Sequence, residues 1–516
     1  MNVKNIRILC MLLLLVMLVG AFAACKSEEP ESGQTQEDAT LPPADPGSQS
    51  EQDRYRPEKV DLEGYTYRMV VDGGLDRTHS WYSCVDDDGE DVLDEAFFNR
   101  NNFLENYFNI GIEFRSLGST PYQMKTELRA CVMGNEDFAD IVLAVAGDVM
   151  NVAIPEGLVL NLNNMNGFNL DASYWDQRIQ KEYSINNMLF TLEGDYTTYD
   201  EMTTFVVFFN DFLYDQFGYY ETYGSLYDMV KNGTWTLEVL MEMVRGTSSE
   251  DEDIIQKRWG MYAERPVPYI FYLGSGNHVI IHDDDGILRS VFDDKTAFNN
   301  TYTILEDTIQ KIGINEDVVL IDQVSESGIG IGWSDFFKGF ANNRALFETS
   351  TLEVATYISD MQELFGVLPI PKYTTDQEEY FSWCSSQSHL PLMVPATALT
   401  HNHTDNTARI TEAMCYFSKY PFSEKTQTVV DAEYEWMMLN KVCRTYDDLD
   451  MLEIIFANKT YDLDFATYMS GIPQIVVNHT GHGTLDRLAA ELKSYQGATL
   501  GKLTQFVRET TTNVKN

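Results

Sequence analysis

Short β-rich runs alternate with segments of helical periodicity along most of this chain, and this alternation constrains the fold more than any other sequence feature. Residues 65–71, 111–114 and 139–146 have the apolar, β-branched and aromatic composition of strands. Four apolar residues between the first two runs recur on one face at helical spacing: Leu93, Phe97, Leu104 and Phe108. Residues 122–132 predict a further helix. Alternating strands and helices indicate βαβ units and a mainly parallel sheet.

The same pattern continues through the second half of the chain. Residues 203–209 predict a strand, and so do 345–347 and 365–371. Apolar residues at helical offsets follow Thr236, which stands where a helix N-cap belongs. A later helix is predicted by Ile410, Ala413, Met414 and Phe417. With 516 residues, 44% of them hydrophobic, the chain has enough apolar material for two large domains or three smaller ones.

The N-terminus has the features of an export signal. Lys4 and Arg7 precede an apolar run of 17 residues that ends just before Cys25. That run is at the lower limit for spanning a bilayer, for which about 20 residues are usual. The small residues before Cys25 resemble the lipobox of bacterial lipoproteins, which implies a lipoprotein signal peptide over 1–24 and a lipid on Cys25. An ordinary cleaved signal or an uncleaved anchor helix are the alternatives.

Residues 25–56 are predicted to form the lipidated cysteine and a disordered acidic tether. The segment is rich in Pro, Ser, Gln, Glu and Asp and has almost no large apolar side chain. Such a composition cannot bury enough surface to offset the entropy of ordering the chain. A lipid on Cys25 with this spacer would hold a folded body at the extracytoplasmic face of the cell membrane.

Charge and motif content exclude several classes of function. Lys and Arg number 36 against 80 Asp and Glu, a formal net charge of −44, so nucleic acid is not expected as a partner. The chain has no G-x-S-x-G, H-E-x-x-H or P-loop motif. Residues 282–286 fit a hairpin turn better than a calcium loop, and His401 and His403 are interpreted as a solvated loop. Cys84, Cys131, Cys384, Cys415 and Cys443 are widely spaced and predict buried or free thiols. We therefore expect no metal and no cofactor.

Several segments, in this order, resemble the extracellular solute-binding proteins of ABC importers, in particular the family-one type that mostly takes up carbohydrates. The residues that carry the resemblance are 89–108, 139–162, 209–218 with 233–236, 337–347 and 365–373. The resemblance spans nearly the whole body of the chain. The chain departs from compact family members by insertions near 175–200 and 445–480.

The resemblance implies an α/β, two-lobed periplasmic-binding-protein-like fold of type II, with a ligand cleft between lobes joined by crossing strands. We place the first crossing at about 203–209 and the return at about 385–394. Lobe one would then comprise 57–204 plus 386–445, and lobe two 205–385 plus 446–516.

A sugar offers apolar C–H faces to aromatic rings and hydroxyls to polar side chains, and open α/β sheets bind ligands at the carboxyl ends of their strands. By position, the resemblance makes Asp148 and Asp195 family-like ligand contacts. The full set of candidate ligand-binding residues is Trp81, Asp148, Asp195, Tyr269, Phe271, Tyr272, Thr349, Trp333 and Trp383. Each aromatic residue has core packing as its alternative, and each Asp a turn or a helix cap.

Together these features predict a solute-binding lipoprotein that captures a sugar or oligosaccharide by lobe closure and delivers it to the permease subunits of an ABC importer. No catalytic residue is expected, so the chain is predicted not to be an enzyme. Peptides or other small solutes remain possible cargo. The alternatives are a surface glycoside hydrolase or lyase, and a bilobal surface sensor without an importer.

Overall fold

The computed structural model describes residues 56–72, 91–118, 122–423, 426–440, 442–481 and 485–514. For residues 495–498 it describes the backbone alone. The predicted signal peptide, Cys25, the tether to residue 55, Trp81 and Cys84 lie outside these residues. No helix in the described ranges is long and apolar enough to cross a membrane.

The strands of the described residues are β1 (Tyr65–Asp72), β2 (Ile110–Leu117), β3 (Ile141–Leu143), β4 (Phe205–Asn210), β5 (Trp259–Ala263), β6 (Ile280–His282), β7 (Leu288–Ser290), β8 (Val318–Leu320), β9 (Ala345–Thr351), β10 (Phe365–Leu368), β11 (Ser382–Trp383), β12 (Leu392–Met393) and β13 (Lys459–Thr460). The helices are α1 (Val92–Phe108), α2 (Met124–Gly134), α3 (Ala146–Ala153), α4 (Gln177–Glu182), α5 (Tyr199–Met202), α6 (Asp211–Gln216), α7 (Tyr219–Thr222), α8 (Leu226–Lys231), α9 (Leu237–Val244), α10 (Val267–Gly274), α11 (Lys295–Thr308), α12 (Ile321–Glu326), α13 (Trp333–Ala341), α14 (Val354–Tyr357), α15 (Thr397–Thr400), α16 (Thr404–Lys419), α17 (Val429–Leu439), α18 (Tyr446–Ala457), α19 (Leu463–Thr467), α20 (Ile472–His479) and α21 (Leu488–Asn513).

Two main sheets share one strand order. The first runs β2-β1-β3-β12, with β1 parallel to β2 and β3 and with β12 antiparallel to β3. The second runs β8-β5-β9-β4-β10, with β5 parallel to β8 and β9 and with β4 antiparallel to β9. Each sheet also contains an antiparallel strand from the other half of the chain. This strand is β12, next to β3, in the first sheet and β4, next to β9, in the second. The fold is therefore α/β with two lobes that exchange strands, as predicted.

The chain passes between the lobes in a narrow set of segments, which we name the crossing ribbon: residues 203–205, 382–385 and 459–460. Thr204 and Cys384 form an antiparallel bridge, and the Ser385 amide donates to the Thr203 carbonyl at 3.0 Å. On the other side, β11 pairs in parallel with β13. The sequence indicated two of these passages and missed the third, at β13.

Three local elements agree with the sequence predictions. The four apolar residues of α1 are buried, and Asp91 caps the helix by accepting from the amides of Leu93 and Asp94, both at 3.0 Å. Thr236 caps α9 through the Val239 amide at 3.4 Å. The acidic turn at 282–286 joins the antiparallel pair β6 and β7, as predicted for a hairpin.

Two predicted strands have different bounds in the structure. Of the predicted strand 139–146, only residues 141–143 pair in a sheet. The chain turns after them toward the segment before β12, because the Gly147 amide donates to the Ser386 carbonyl at 2.7 Å. Asp148 consequently lies in the first turn of α3 and not in a loop. Strand β9 continues to Thr351 because β4 pairs with its far end, so 348–350 lie inside the strand and not after it.

The histidine prediction also needs correction. His403 is 5% exposed and not part of a solvated loop. Its Nδ1 lies 3.1 Å from Asp140 Oδ1, and its Nε2 lies 3.1 Å from Asp137 Oδ1. This imidazole ties the start of α16 to the segment before β3. Cys131, Cys384, Cys415 and Cys443 are buried free thiols.

Candidate functional site

A cavity of about 530 Å³, here called the interlobe cavity, opens beside the crossing ribbon. Phe205, Trp383 and Ser385 form its ribbon side. The second lobe contributes Glu264, Pro266, Trp333, Ser334, Phe337, Ser350, Thr351, Glu353, Val354 and Tyr357. Gln387, Ser388 and Phe465 complete the lining. The cavity thus lies at the carboxyl ends of β5 and β9, where ligands bind in open α/β sheets.

Aromatic rings form two groups in this cavity. The Trp383 ring stacks on Phe205 at a centroid distance of 5.5 Å and contacts Phe465 at 4.7 Å. At the rim, Phe337 and Tyr357 are stacked at 5.2 Å and 9°. Trp383 is buried, and its indole Nε1 has no hydrogen-bond partner within the described residues. Faces and edges of this kind suit the C–H faces of a sugar ring together with one hydroxyl.

One carboxyl group, that of Glu264, lines the second-lobe wall, and a second, that of Glu348, is buried in the neighbouring strand β9. Glu264 directly follows β5, and its pKa is raised to about 8 by burial and by the charge of Asp322. Glu348, in β9, is fully buried, and neither of its oxygens has a hydrogen-bond partner in the described part of the chain. Burial, followed by the charge of Glu264, raises the pKa of Glu348 to about 8. Near pH 7 both groups are therefore mostly protonated, and Glu264 can donate a hydrogen bond into the cavity.

A second polar group adjoins the cavity from the first lobe. Asp148 forms an ion pair with Lys125, while its Oδ2 is buried without a hydrogen-bond partner among the described residues. A Cβ on the neighbouring Gly147 would lie 2.3 Å from Nε2 of Gln387, so α3 is pressed against the cavity lining. Tyr468 lies on the same side, since burial, Gln387 and Asp148 all act on the pKa of its hydroxyl.

The backbone near Asp148 is strained at two exposed tyrosines. Tyr122 has φ 70° and Tyr468 has φ 50°, in the left-handed region that bulky residues rarely adopt. Both are exposed, to 50% and 36%, and Asp148 is among the causes that raise the pKa of each hydroxyl, after burial. Strain of this kind is concentrated at ligand sites, because the surrounding structure must hold it in place.

The structure separates the sequence-predicted site residues into groups. Trp333 and Trp383 line the interlobe cavity, and Asp148 adjoins it. Thr349 is buried inside β9, although its neighbours Ser350 and Thr351 line the cavity. Asp195 lines a different cavity, with Lys419 Nζ at 4.0 Å from its Oδ2.

The aromatic cluster of α10 belongs to the core. Tyr269, Phe271 and Tyr272 are at most 2% exposed, and none of them lines the interlobe cavity. The Tyr269 hydroxyl donates to Asp462 at 3.3 Å, and Tyr272 pairs with the Thr301 hydroxyl at 3.1 Å. These rings support the cavity from behind and do not face it.

Sequence reasoning missed Glu264, Tyr357, Gln387 and Phe465. Glu264 follows a strand end, the same signal that selected Asp148, and it was missed because residues 259–263 were not predicted as a strand. Phe465 had no local signal, since α19 reaches the cavity only through the third passage of the ribbon. Within the described ranges, no group of three His, Cys, Asp or Glu side chains could hold a metal ion.

Comparison with known structures defines the class of fold: it is that of the two-lobed, sugar-binding solute-binding proteins of ABC transporters. The galacto-N-biose/lacto-N-biose-binding protein of Bifidobacterium longum, solved with lacto-N-biose, matches at TM-score 0.51 and 10% identity over 86% of this chain and 98% of that one. An ABC substrate-binding protein from Listeria monocytogenes, solved with cycloalternan, matches at TM-score 0.50 and 11% identity over 86% of this chain and all of that one.

Identities this low show a shared fold alone. No protein-family model matches the sequence, and no curated protein matches it.

Proposed function

We propose that this chain is an extracytoplasmic solute-binding lipoprotein that captures a sugar or oligosaccharide between its lobes and delivers it to an ABC importer. The observation that carries the proposal is the interlobe cavity, which combines stacked aromatic rings with the carboxyl group of Glu264 beside the crossing ribbon. Rings bind the apolar faces of a sugar, and carboxyl groups pair with its hydroxyls. Both fold relatives described above were solved in complex with carbohydrates.

The mechanism follows from the position of the cavity. Lining residues come from the second lobe, from the ribbon and from segments that pack against α3 of the first lobe. A guest that contacts all three is held best when the lobes close, so binding energy shifts the population toward the closed form. No bond is made or broken.

Calorimetry of the full chain against a panel of glycans tests the proposal. Trp333, which is 37% exposed, can be replaced by Ala with little effect on the core, and we expect Trp333→Ala to weaken binding about 3- to 10-fold through lost stacking. Tyr446→Ala, at a residue 80% exposed and outside the cavity lining, is the matched control. Lobe closure predicts a smaller radius of gyration with ligand. Absence of binding by any glycan, or equal binding by both variants, would refute a sugar site here.

Anchoring and delivery need separate experiments. Mass spectrometry of the N-terminal peptide should find an acylated Cys25, and Cys25→Ala should release the protein from the membrane. Uptake of the bound sugar by cells should fall when the chain is deleted and recover when it is restored. An unmodified Cys25 would overturn the lipoprotein assignment without affecting the sugar site.

One observation favours a second function, glycoside hydrolysis. Glu264 lines the cavity and holds its proton near pH 7, as a general acid must. Release of reducing ends from polysaccharides by the wild type, and its loss in Glu264→Gln, would establish this activity. Binding of a glycan without its hydrolysis would contradict the second function and support the solute-binding function.

A further inference from the structure

A second cavity of about 530 Å³ lies beside the crossing ribbon, here called the acidic cavity. Within the described residues it shares no lining residue with the interlobe cavity. Residues 197–201, just before the first passage of the ribbon, and 456–459, at the third, form part of its wall. Helix α17 and the segment 173–195 form the rest.

Acidic side chains outnumber cationic ones in the acidic cavity. Six acids line it, namely Asp176, Glu182, Asp195, Asp200, Glu201 and Glu433, together with the three cations Arg178, Lys181 and Lys459. Lys459 is 7% exposed and is already committed to Asp200 and to Glu201, the latter at 2.8 Å. A cationic guest beside the buried acids would favour their ionised forms and would then be held by charges opposite to its own.

Two buried side chains that line the acidic cavity have unused hydrogen-bonding atoms. Glu433 is 8% exposed, and its Oε1 has no partner among the residues that the structure describes. Thr198 is 3% exposed, and its Oγ1 likewise has no partner in the described ranges. Leaving buried polar atoms unpaired is costly, so both atoms point to a ligand that donates hydrogen bonds to them.

We propose that the acidic cavity binds a small organic cation with ammonium groups, of the diamine or polyamine class, through Glu433 and Thr198. An ammonium group donates up to three hydrogen bonds, and its positive charge would stabilise the ionised form of Glu433. The volume fits an organic molecule. A metal ion fits less well, because no group of three acidic, imidazole or thiol ligands converges anywhere in the described ranges. Phe456 offers apolar surface for the methylene groups.

The titration of the wall agrees with this assignment. Burial, followed by the charge of Glu201, raises the pKa of Glu433 well above its usual range. Burial, followed by the charge of Asp200, raises the pKa of Glu201 to about 8. Burial therefore favours the protonated form of both groups in the absence of a guest, and an ammonium group between them would lower their pKa and pair with the carboxylates.

Calorimetry with putrescine, spermidine and calcium chloride on the full chain tests the proposal. A net charge of −44 attracts polyamines without specificity, so the titrations are made at about 0.15 M salt, where exposed charges are screened. Glu433→Gln removes the carboxyl group that would ionise beside the guest, and Glu435→Gln changes an exposed residue of the same helix as the matched control. We expect the wild type and the control to bind a polyamine equally, and Glu433→Gln to bind it at least about tenfold more weakly.

Three results would overturn the assignment: no binding of either amine, equal binding by Glu433→Gln and the wild type, or calcium bound more tightly than both amines. Thr198→Val is a second variant in case Glu433→Gln does not fold, and it should also weaken amine binding. None of these results depends on the interlobe cavity or on its ligand.

Discussion

Glu348→Gln should change how stability depends on pH. The side chain is fully buried, and its carboxyl has no hydrogen-bond partner in the described part of the chain. Its pKa is about 8 in the folded protein against an ordinary value of 4.5. Between these values the folded state holds a proton that the unfolded state has released, so stability falls as pH rises through this window. Over the whole interval the loss is of order 5 kcal/mol, since each pKa unit corresponds to about 1.4 kcal/mol.

Gln has the same shape as Glu and no proton to lose in this range. The variant and the wild type should therefore have similar stability near pH 5, and the variant should be the more stable by several kcal/mol at pH 9. Urea unfolding followed by tryptophan fluorescence from pH 5 to pH 9 measures the difference. Glu264 also has a raised pKa and remains in the variant, so a residual slope is expected. Exposed Glu363→Gln is the control. Parallel curves for Glu348→Gln and the wild type would refute the reasoning.

Two further substitutions test the packing of the second lobe. In Gly366→Ala the new Cβ would lie 2.1 Å from the Phe209 ring and 2.3 Å from the Tyr227 hydroxyl, so we expect about 1–3 kcal/mol of destabilisation, measured by thermal unfolding. An unchanged melting temperature would show that the rings give way freely. Asp448→Ala removes the acceptor of the Val367 amide at 3.0 Å and of Tyr227 at 2.7 Å, and should cost about 2–4 kcal/mol in denaturant titration. A loss below about 1 kcal/mol would mean that water replaces the carboxylate.

Local patterns predicted most of the elements that build the two sheets. The periodicity of α1, the cap at Thr236 and the hairpin at 282–286 each depend on neighbouring residues, so a single sequence is enough to detect them. Strand ends were less predictable. Strand β9 continues to Thr351 only because β4 pairs with it, and that pairing joins residues about 140 positions apart.

The site was harder to predict than the fold, because the direction of a side chain depends on tertiary packing. Trp333 and Trp383, predicted from their loop-like context, line the interlobe cavity, whereas the aromatic cluster of α10, predicted for the same site, does not. Helix α10 is apolar on every side and buried along its whole length. A short helix with this pattern is expected in a core, so the sequence did contain the signal that places Tyr269 and Tyr272 there.

Strand exchange makes each lobe depend on the other half of the chain. Strand β4 completes the second sheet but follows the first-lobe elements, and β12 completes the first sheet but follows those of the second lobe. A fragment that ends before β12 would expose the edge of β3, whose residues are all buried in the intact fold. Unpaired edges of this kind favour aggregation, so neither half should fold as an independent domain. Under the proposed lobe closure, we expect the movement to bend the crossing ribbon, and both cavities are lined by chain that enters or forms it.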